Sequence, residues 1–274
     1  MAPKLIKIFT KNDQFQYIET LQRNREKRHR SGEFFIEGVR PINLALQHGW
    51  RINAFVYARD VPLSGWARDI LQASRALRHY ELPPALLQEL SHKEETSELL
   101  ALVAIPPDDV TRIPTGRPFT AVVFDRPASP GNLGTLIRSC DAFGVSGVIV
   151  TGHAVDLYSP EVISASTGSF FAVPVVRLAS CGEVQRWVEE LREPLGDVRV
   201  VGTDEKGTVD LDAHDFTPPT VLLAGNEKWG LSKAFRELCD ATVRIPMSGS
   251  ASSLNVACAT SIVLYEINRQ RRKS

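Results

Sequence analysis

The chain has 274 residues, equal numbers of acidic and basic side chains (32 each) and 43% hydrophobic residues, which is the composition of a folded protein of one large or two ordinary domains. A net charge of zero argues against a general nucleic-acid coat. The sequence contains no uncharged apolar run of about 18 residues and no apolar leader after Met1, so we predict neither a membrane span nor a secretory signal.

The first part of the chain begins with a basic cluster and continues as alternating strand and helix patterns. The cluster comprises Arg23, Arg25, Lys27, Arg28, His29 and Arg30. The run FFIEG predicts a buried strand that enters a turn at Gly38, and a helix from Pro41 stops at Gly49. Strands are predicted at 52–58, 77–80 and 99–106, and helices at 66–77 and from the LPPALLQELS run. This alternation predicts a small α/β domain.

A proline-rich stretch at 106–118 predicts a linker, after which the alternation restarts. Strands are predicted at 121–125, 147–152, 170–176, 198–207, 220–225 and 242–247, and helices at 183–195 and from near Leu254. Continuous apolar strands of this kind are typical of a parallel sheet covered on both faces. We predict Phe170 and Phe171 to lie in the core, and we predict domains at 1–112 and 113–274.

Three loops rich in Gly, Asn and Ser carry the functional signal. Each follows a buried-strand pattern and runs into a helix pattern: FDRPASPGNLGTLIRSCDAFG at 124–144, LLAGNEKWGLS at 222–232 and IPMSGSASSLNVA at 245–257. Glycine lets the backbone N–H and C=O groups of such loops approach a ligand closely. Gly131 and Gly134 do not have the spacing of a dinucleotide fingerprint, and no GK[ST] phosphate loop occurs, which disfavours a nucleotide-dependent oxidoreductase.

Each polar residue of these loops has an ordinary structural interpretation when taken alone. Asn132 is a turn or N-cap residue, Arg138 a solvated helix arginine and Glu227 a first-turn glutamate. Ser253 and Asn255 are caps by the same logic. Their joint occurrence in three successive loops favours one composite site instead.

At these residues the chain resembles the SPOUT superfamily of RNA methyltransferases, in its SpoU/TrmH branch of ribose 2′-O-methyltransferases. Asn132, Gly134 and Arg138 match the first motif, N-x-G-x-x-x-R. The second motif, G-x-E-x-x-G, is matched at 225–230, and the third, I-P-M…S-L-N, at 245–255. The runs GEF, GVRP, FDRP, SPGN and GSASSLN are most similar to the actinobacterial 23S rRNA methyltransferases linked to avilamycin resistance.

The resemblance implies an α/β fold with a C-terminal SPOUT domain, which has a parallel sheet and a deep trefoil knot, and an N-terminal L30e-like domain that binds RNA. It also implies an obligate cytoplasmic homodimer that uses S-adenosylmethionine without a metal ion. The expected activity is methylation of a ribose 2′-oxygen of one 23S rRNA nucleotide, with antibiotic resistance as a biological role. A tRNA 2′-O-methyltransferase and a non-catalytic ribosome-assembly protein of the same fold remain alternatives.

The resemblance also assigns roles to individual residues. Backbone groups at Gly225, Ile245 and Leu254, with Met247, are expected to hold the cofactor, and Thr203 with Asp204 to contact its ribose. The expected catalytic set is Arg138, Asn132, Glu227, Ser253 and Asn255. Arginine is permanently protonated near neutral pH, so we expect Arg138 to act as a cation that holds phosphate and stabilises developing alkoxide charge. The expected RNA contacts are Arg25, Arg28, Arg30 and Arg40.

Overall fold

The structure is a computed structural model, and it describes residues 3–91 and 93–272. The chain forms two compact units, the first comprising Met1–Pro106 with Tyr158–Ile163 and the second Pro107–Leu157 with Ser164–Ser274. Within the described ranges, every helix is too short or too polar to cross a membrane.

The first unit is a five-stranded mixed sheet with helices. Its elements are β1 (Lys4–Lys7), α1 (Asp13–Arg23), α2 (Arg25–Ser31), β2 (Glu33–Glu37), α3 (Val39–Gln47), β3 (Ile52–Ala58), α4 (Gly65–Ala73), β4 (Arg78–Leu82), α5 (Pro84–Leu90) and β5 (Leu100–Ala104). The strand order is β1-β4-β3-β5-β2. The strands β1, β4 and β3 run parallel, whereas β5 pairs antiparallel with both β3 and β2.

Two helices that the sequence patterns did not predict precede β2. The Asn12 side chain caps α1 by accepting the backbone N–H groups of Gln14 and Phe15, both at 3.1 Å. Asn24 caps α2 in the same way through the N–H of Lys27 at 3.0 Å. The basic cluster predicted from the sequence therefore spans the end of α1 and the whole of α2.

The second unit is built on a seven-stranded sheet in which every pairing is parallel. Its strands are β6 (Thr120–Asp125), β7 (Gly147–Thr151), β8 (Val175–Leu178), β9 (Arg199–Thr203), β10 (Val209–Asp210), β11 (Thr220–Ala224) and β12 (Ala241–Arg244). Its helices are α6 (Pro130–Ala142), α8 (Cys181–Leu195), α9 (Lys233–Leu238) and α10 (Val256–Arg271), and the short helix α7 (Pro160–Ala165) lies mostly in the first unit's segment Tyr158–Ile163. The order is β10-β12-β9-β11-β6-β7-β8.

The central strands of this sheet are buried along their whole length, as their continuous apolar runs predicted. All residues of β6, β7 and β11 are buried. The helix α8 packs Trp187 and Leu191 into the same hydrophobic core as Phe119, the residue directly before β6. The predicted parallel sheet is confirmed.

Two sequence-based predictions of elements are wrong in part. The run predicted as a strand at 170–176 begins as a 3₁₀ turn at Ser169–Phe171, and β8 starts only at Val175. The turn follows Thr167 and Gly168, which both have positive φ, and an apolar run alone does not distinguish a buried turn from a strand. Phe170 and Phe171 are nevertheless buried as predicted. The helix predicted at 66–77 ends at Ala73.

The carboxyl end of α10 is fixed by a guanidinium group that lies among backbone carbonyls. Arg271 donates to the carbonyl oxygens of Phe216 (2.9 Å), Phe119 (3.0 Å) and Pro218 (2.6 Å). It also donates to the hydroxyls of Thr120 at 2.6 Å and Thr220 at 3.2 Å. Burial lowers the pKa of Arg271 to about 10. The side chain thus joins α10 to the starts of the two adjacent strands β6 and β11.

Candidate active site

The three motif loops meet because their strands are neighbours in a parallel sheet. The strands β12, β9, β11 and β6 are consecutive in the strand order. Parallel strands present their carboxyl ends at one edge, where open α/β sheets bind their ligands. The first motif follows β6, the second follows β11 and the third follows β12, so sequence segments about 100 residues apart form one surface.

All five residues predicted to hold the cofactor line one cleft of about 370 Å³ in the second unit. They are Thr203, Gly225, Ile245, Met247 and Leu254. Asp204, Glu227 and Ser253 line the same cleft. A cleft of this volume is within the range of small-molecule sites, which is roughly 300–1,000 Å³.

The second motif is a tight turn that requires glycine. A side chain at Gly225 would collide with the backbone of Gly230 and Leu231. The turn closes through reciprocal backbone hydrogen bonds between Asn226 and Gly230, at 3.0 and 2.9 Å. Gly230 has a φ of +64°, a conformation that favours glycine. The glycines of this motif therefore shape the turn.

A chain of side-chain hydrogen bonds connects the three motifs. Asn255 of the third motif donates its amide to the Oδ1 atom of Asn132 in the first motif, at 2.9 Å. Asn132 donates in turn to Oε1 of Glu227 in the second motif, at 3.2 Å. Asn255 also caps α10 by accepting the N–H groups of Ala257 (2.9 Å) and Cys258 (3.4 Å). Three of the five predicted catalytic residues are therefore in direct contact.

The Glu227 carboxylate is held in its ionised form by these donors. It accepts the backbone N–H groups of Ala128 and Ser129, both at 2.9 Å, in addition to the Asn132 amide. Partial burial acts to raise the pKa of this carboxyl group, but the hydrogen bonds outweigh it and leave the pKa below its ordinary value. Glu227 therefore anchors the start of the first-motif helix to the second-motif turn.

A buried carboxylate that the sequence analysis did not single out makes a second connection between the same loops. Asp125 ends β6, is 2% exposed, and accepts the backbone N–H of Ser232 at 2.9 Å. It also receives two hydrogen bonds from the Arg126 guanidinium, each at 2.9 Å. Arg126 has a φ of +52° and reaches the carbonyl of Gly230 at 3.4 Å. The sequence signal that could have identified Asp125 is a charged residue at the end of a continuous apolar run.

Arg138 and Ser253 lie outside this hydrogen-bonded chain. Arg138 is exposed on α6, six residues after Asn132, which places it about 9 Å further along the helix and about 120° around it. Within residues 3–91 and 93–272, neither the Arg138 guanidinium nor the Ser253 hydroxyl has a recorded hydrogen bond or ion pair to a protein group. The Arg138 cation is thus available to a ligand.

The predicted RNA-contact residues divide into exposed and buried groups. Arg30 and Arg40 are exposed and Arg25 is half-buried. Arg28 is 3% exposed, and its guanidinium donates to the carbonyls of Leu21 (2.7 Å) and Gln22 (2.8 Å). The prediction that Arg28 contacts RNA is therefore wrong, because its side chain faces inward and joins α2 to α1. A charge cluster in a sequence does not reveal which member faces the core.

The cleft has the chemical character that S-adenosylmethionine requires. The apolar side chains of Ile245, Leu254 and Val256 offer a surface for a flat aromatic base. The carboxylates of Asp204 and Glu205 also line the cleft, where they complement a positively charged sulfonium compound. In the described part of the chain, no group of three or more His, Cys, Asp or Glu side chains is arranged to hold a metal ion.

Comparisons with known proteins identify the family to which the chain belongs. The family model for the SpoU rRNA methylase family matches residues 120–265, and the model for the SpoU L30e-like domain matches residues 12–101. The chain is 50% identical to a 23S rRNA (uridine(2479)-2'-O)-methyltransferase of Streptomyces viridochromogenes over 98% of this chain and 94% of that protein. The chain belongs to the SpoU rRNA methylase family.

Two solved structures show the same relationship. The SpoU methyltransferase AviRb from Streptomyces viridochromogenes, in complex with AdoMet, has a TM-score of 0.90 and 50% identity over 96% of this chain and 99% of that one. An AdoMet-bound rRNA methyltransferase from Sinorhizobium meliloti has a TM-score of 0.85 and 30% identity over 97% and 98%. The predicted family, α/β fold class and class of enzyme, a methyltransferase that uses S-adenosylmethionine, are confirmed. The trefoil knot stays a prediction.

Proposed function

We propose that this protein transfers the methyl group of S-adenosylmethionine to the ribose 2′-oxygen of one nucleotide in 23S rRNA. The observation that carries the proposal is the hydrogen-bonded chain from Asn255 through Asn132 to Glu227, which connects all three family motifs beside the cleft. The relative that is 50% identical over 98% of this chain is named as a 23S rRNA 2′-O-methyltransferase, which supports both the class of RNA and the ribose 2′-oxygen as the methylated atom. The bound cofactor supplies an electrophilic methyl carbon.

The protein's part in such a transfer is to position the hydroxyl and to stabilise its developing charge. Arg138 presents a cation that is unpaired among the described residues and that would hold the phosphate beside the target ribose and stabilise the alkoxide. Asn132 is fixed from both sides, by Asn255 and by Glu227, and would position the ribose. Ser253 and the backbone at Gly225, Ile245 and Leu254, with Met247 and Thr203, would hold the cofactor.

We also propose that the protein acts as a homodimer through α6 and α10. On α10, Val263 and Ile267 are buried within the unit and cannot form the interface, whereas Ile262 is exposed. Cys258, Ile262 and Tyr265 form an exposed stripe on α10, which contacts α6 through the hydroxyls of Ser261 and Ser139 at 2.7 Å. Ile262 and Tyr265 are 39% and 52% exposed, which supports a partner at this face. Sedimentation should give a dimer for the wild type and a monomer for Ile262→Asp.

The first unit would then supply RNA affinity, with the exposed Arg30 and Arg40 and the half-buried Arg25 as contacts. Deletion of the residues before Pro107 should weaken RNA binding and leave cofactor binding intact. Catalysis would proceed in the cytoplasm, where ribosomal RNA is available, and would need no metal ion. Antibiotic resistance is tested separately, by comparing avilamycin susceptibility of a host with and without the active protein.

The decisive experiment is methylation of total RNA with labelled S-adenosylmethionine, followed by mapping of the modified nucleotide. Label in 23S rRNA at a ribose 2′-oxygen is the expected result. Label in tRNA would replace the proposed substrate with the alternative. Binding of the cofactor without label in any RNA would favour a non-catalytic role in ribosome assembly.

A further inference from the structure

The largest exposed apolar side chain of the site has no role in the family motifs. Trp229 occupies a variable position of the second motif and is 68% exposed. Tryptophan is usually buried over most of its surface, so an indole left in solvent beside a ligand cleft indicates a contact that the isolated chain does not make. Trp229 itself lines the cleft, two residues after Glu227.

The backbone that carries Trp229 is held in place. The Asn226 side chain accepts the N–H groups of Lys228 at 2.9 Å and Trp229 at 3.0 Å, and its amide donates to the carbonyl of Arg126 at 2.7 Å. The bridge between Asn226 and Gly230 closes the turn around these residues. A platform on such a turn loses little conformational freedom when a ligand stacks on it.

The cation in contact with the indole favours a polyanion with flat bases. The Lys228 ammonium lies 4.6 Å from the ring centroid, over the ring, and the Trp229 residue as a whole is 68% exposed. Lys206 and Arg236 line the same cleft, as do the carboxylate residues Asp204, Glu205 and Glu227. The cation in contact with the ring is Lys228, which attracts phosphate groups and disfavours the positively charged cofactor as the partner of this ring.

We infer that Trp229 is a stacking platform for an unpaired nucleobase of the RNA substrate, at the target nucleotide or next to it. The inference rests on the proposed function, since it assumes an RNA at this cleft. Trp229 is a positioning residue: it holds a base by its π-face while other groups act on the ribose. Base stacking on aromatic side chains contributes to binding with little dependence on sequence.

Substitution of the ring separates stacking from the other roles. Trp229→Leu should weaken the affinity for a 23S rRNA transcript by about 5- to 150-fold, the range for one stacked base. Trp229→Phe should retain most of the affinity, because it keeps an aromatic face. The affinity for S-adenosylmethionine should be unchanged in both variants. Loss of cofactor affinity in step with RNA affinity would overturn the inference and make Trp229 a cover for the cofactor.

The charge of Lys228 provides a matched control. Lys228→Gln should lower the salt dependence of RNA affinity, because one fewer counterion is released, whereas Trp229→Leu should lower the affinity and leave the salt slope unchanged. If Lys228→Gln had the same salt slope as the wild type and Trp229→Leu had unchanged RNA affinity, neither residue would contact RNA. That result would overturn the inference.

Fluorescence tests stacking without turnover, and so separates this inference from the proposed function. Oligouridylate should quench the tryptophan emission of the wild type, and the quenching should disappear in Trp229→Phe, which retains Trp50, Trp66 and Trp187. Quenching in a protein that methylates no RNA would support the platform and contradict the proposed function. Methylation of RNA without Trp229-dependent quenching would support the proposed function and overturn the inference that Trp229 is a stacking platform. Emission that iodide cannot reach in the free protein would show that a second copy covers the ring, and would overturn the inference.

Discussion

Asn255 donates a hydrogen bond to Asn132 at 2.9 Å across 123 positions of the sequence. The bond brings the N-cap of the last helix against the first turn of α6. Because Asn132 also donates to Glu227, a displacement of any one of the three motifs would be transmitted to the other two. The arrangement explains why these polar residues occur together in three distant loops.

Asn255 both caps α10 and donates a hydrogen bond to Asn132, and the variant Asn255→Asp separates these two functions. Aspartate caps a helix about as well as asparagine, so α10 should remain stable. It cannot donate to Asn132, and its charge would face the Oδ1 atom of that residue. We expect kcat/KM to fall roughly tenfold or more, the equivalent of about 1.4 kcal/mol, with little change in thermal stability.

Asn255→Ala is the matched control, because it removes the cap as well as the donor. It should lose about 1 kcal/mol of stability in addition to activity. Thermal denaturation and steady-state kinetics measure the two effects. Normal turnover by Asn255→Asp would mean that the bond to Asn132 does not position the substrate.

Glu227 predicts a pH dependence of stability. The fold lowers the pKa of its carboxyl group below the reference value of 4.5. The ionised carboxylate therefore contributes its full share to the free energy of unfolding above the pKa of the unfolded state. That share is lost as the pH falls through the lower pKa of the folded state. The difference in melting temperature between wild type and Glu227→Gln should be present near pH 7 and shrink below about pH 4.5.

Other carboxylates titrate in both the wild type and Glu227→Gln, so the difference between the two melting temperatures isolates the effect of position 227. Calorimetry at a series of pH values from about 7 to about 2.5 gives the measurement, because the folded pKa lies below 4.5. A difference that stays constant across this series would show that the charge of Glu227 does not fix the loop.

The positions of the motif residues were predictable from the sequence, whereas their contacts were not. Thr203, Gly225 and Ile245 follow strands that the apolar runs identify, and parallel strands bring such positions to one edge. The bonds from Asn255 to Asn132 and from Asn132 to Glu227 depend on loop backbone that no periodicity encodes. Arg28 was misassigned for a related reason, since the pattern counted its charge and not the face of α2 on which it lies.

Arg271, the last residue of α10, shows the same limit, because its charge does not predict that its side chain faces inward. Its guanidinium donates to three carbonyl oxygens and two threonine hydroxyls, all within 3.2 Å. Arg271→Met should leave these acceptors unpaired and lower the free energy of unfolding by roughly 2–4 kcal/mol. The neighbouring Arg272 is exposed, so Arg272→Met should change the free energy of unfolding by less than about 0.5 kcal/mol. Urea denaturation compares the two; equal stability would contradict the assigned role.

The exposed arginines of the first unit should contribute to RNA binding through phosphate contacts. Arg30→Gln and Arg40→Gln should each lower the slope of log affinity against log salt by about 0.7–0.9, because one fewer counterion is released. Arg28→Gln should instead lower stability and leave the slope unchanged, since its side chain is bonded to Leu21 and Gln22. Filter binding at several salt concentrations gives the slopes. An unchanged slope in the first two variants would place these arginines on a solvated face.

The last prediction concerns Arg138, which is exposed on α6 and outside the hydrogen-bonded chain of the motifs. Arg138→Ala should fold, dimerise and bind S-adenosylmethionine, because the residues that line the cleft are on other loops. Its kcat should fall by about 10²–10³, the usual cost of removing one group that stabilises developing negative charge. Calorimetric titration of the cofactor and single-turnover methylation measure the two properties independently.

Arg138→Lys then distinguishes charge from geometry. Lysine keeps a cation but lacks the planar fork that grips phosphate through two parallel hydrogen bonds. If charge alone stabilises the alkoxide, the lysine variant should retain most of its activity. If Arg138 must hold the phosphate through that fork, the variant should be as slow as Arg138→Ala. Near-normal turnover by Arg138→Ala itself would remove this residue from the mechanism, while leaving the family and the cofactor site unaffected.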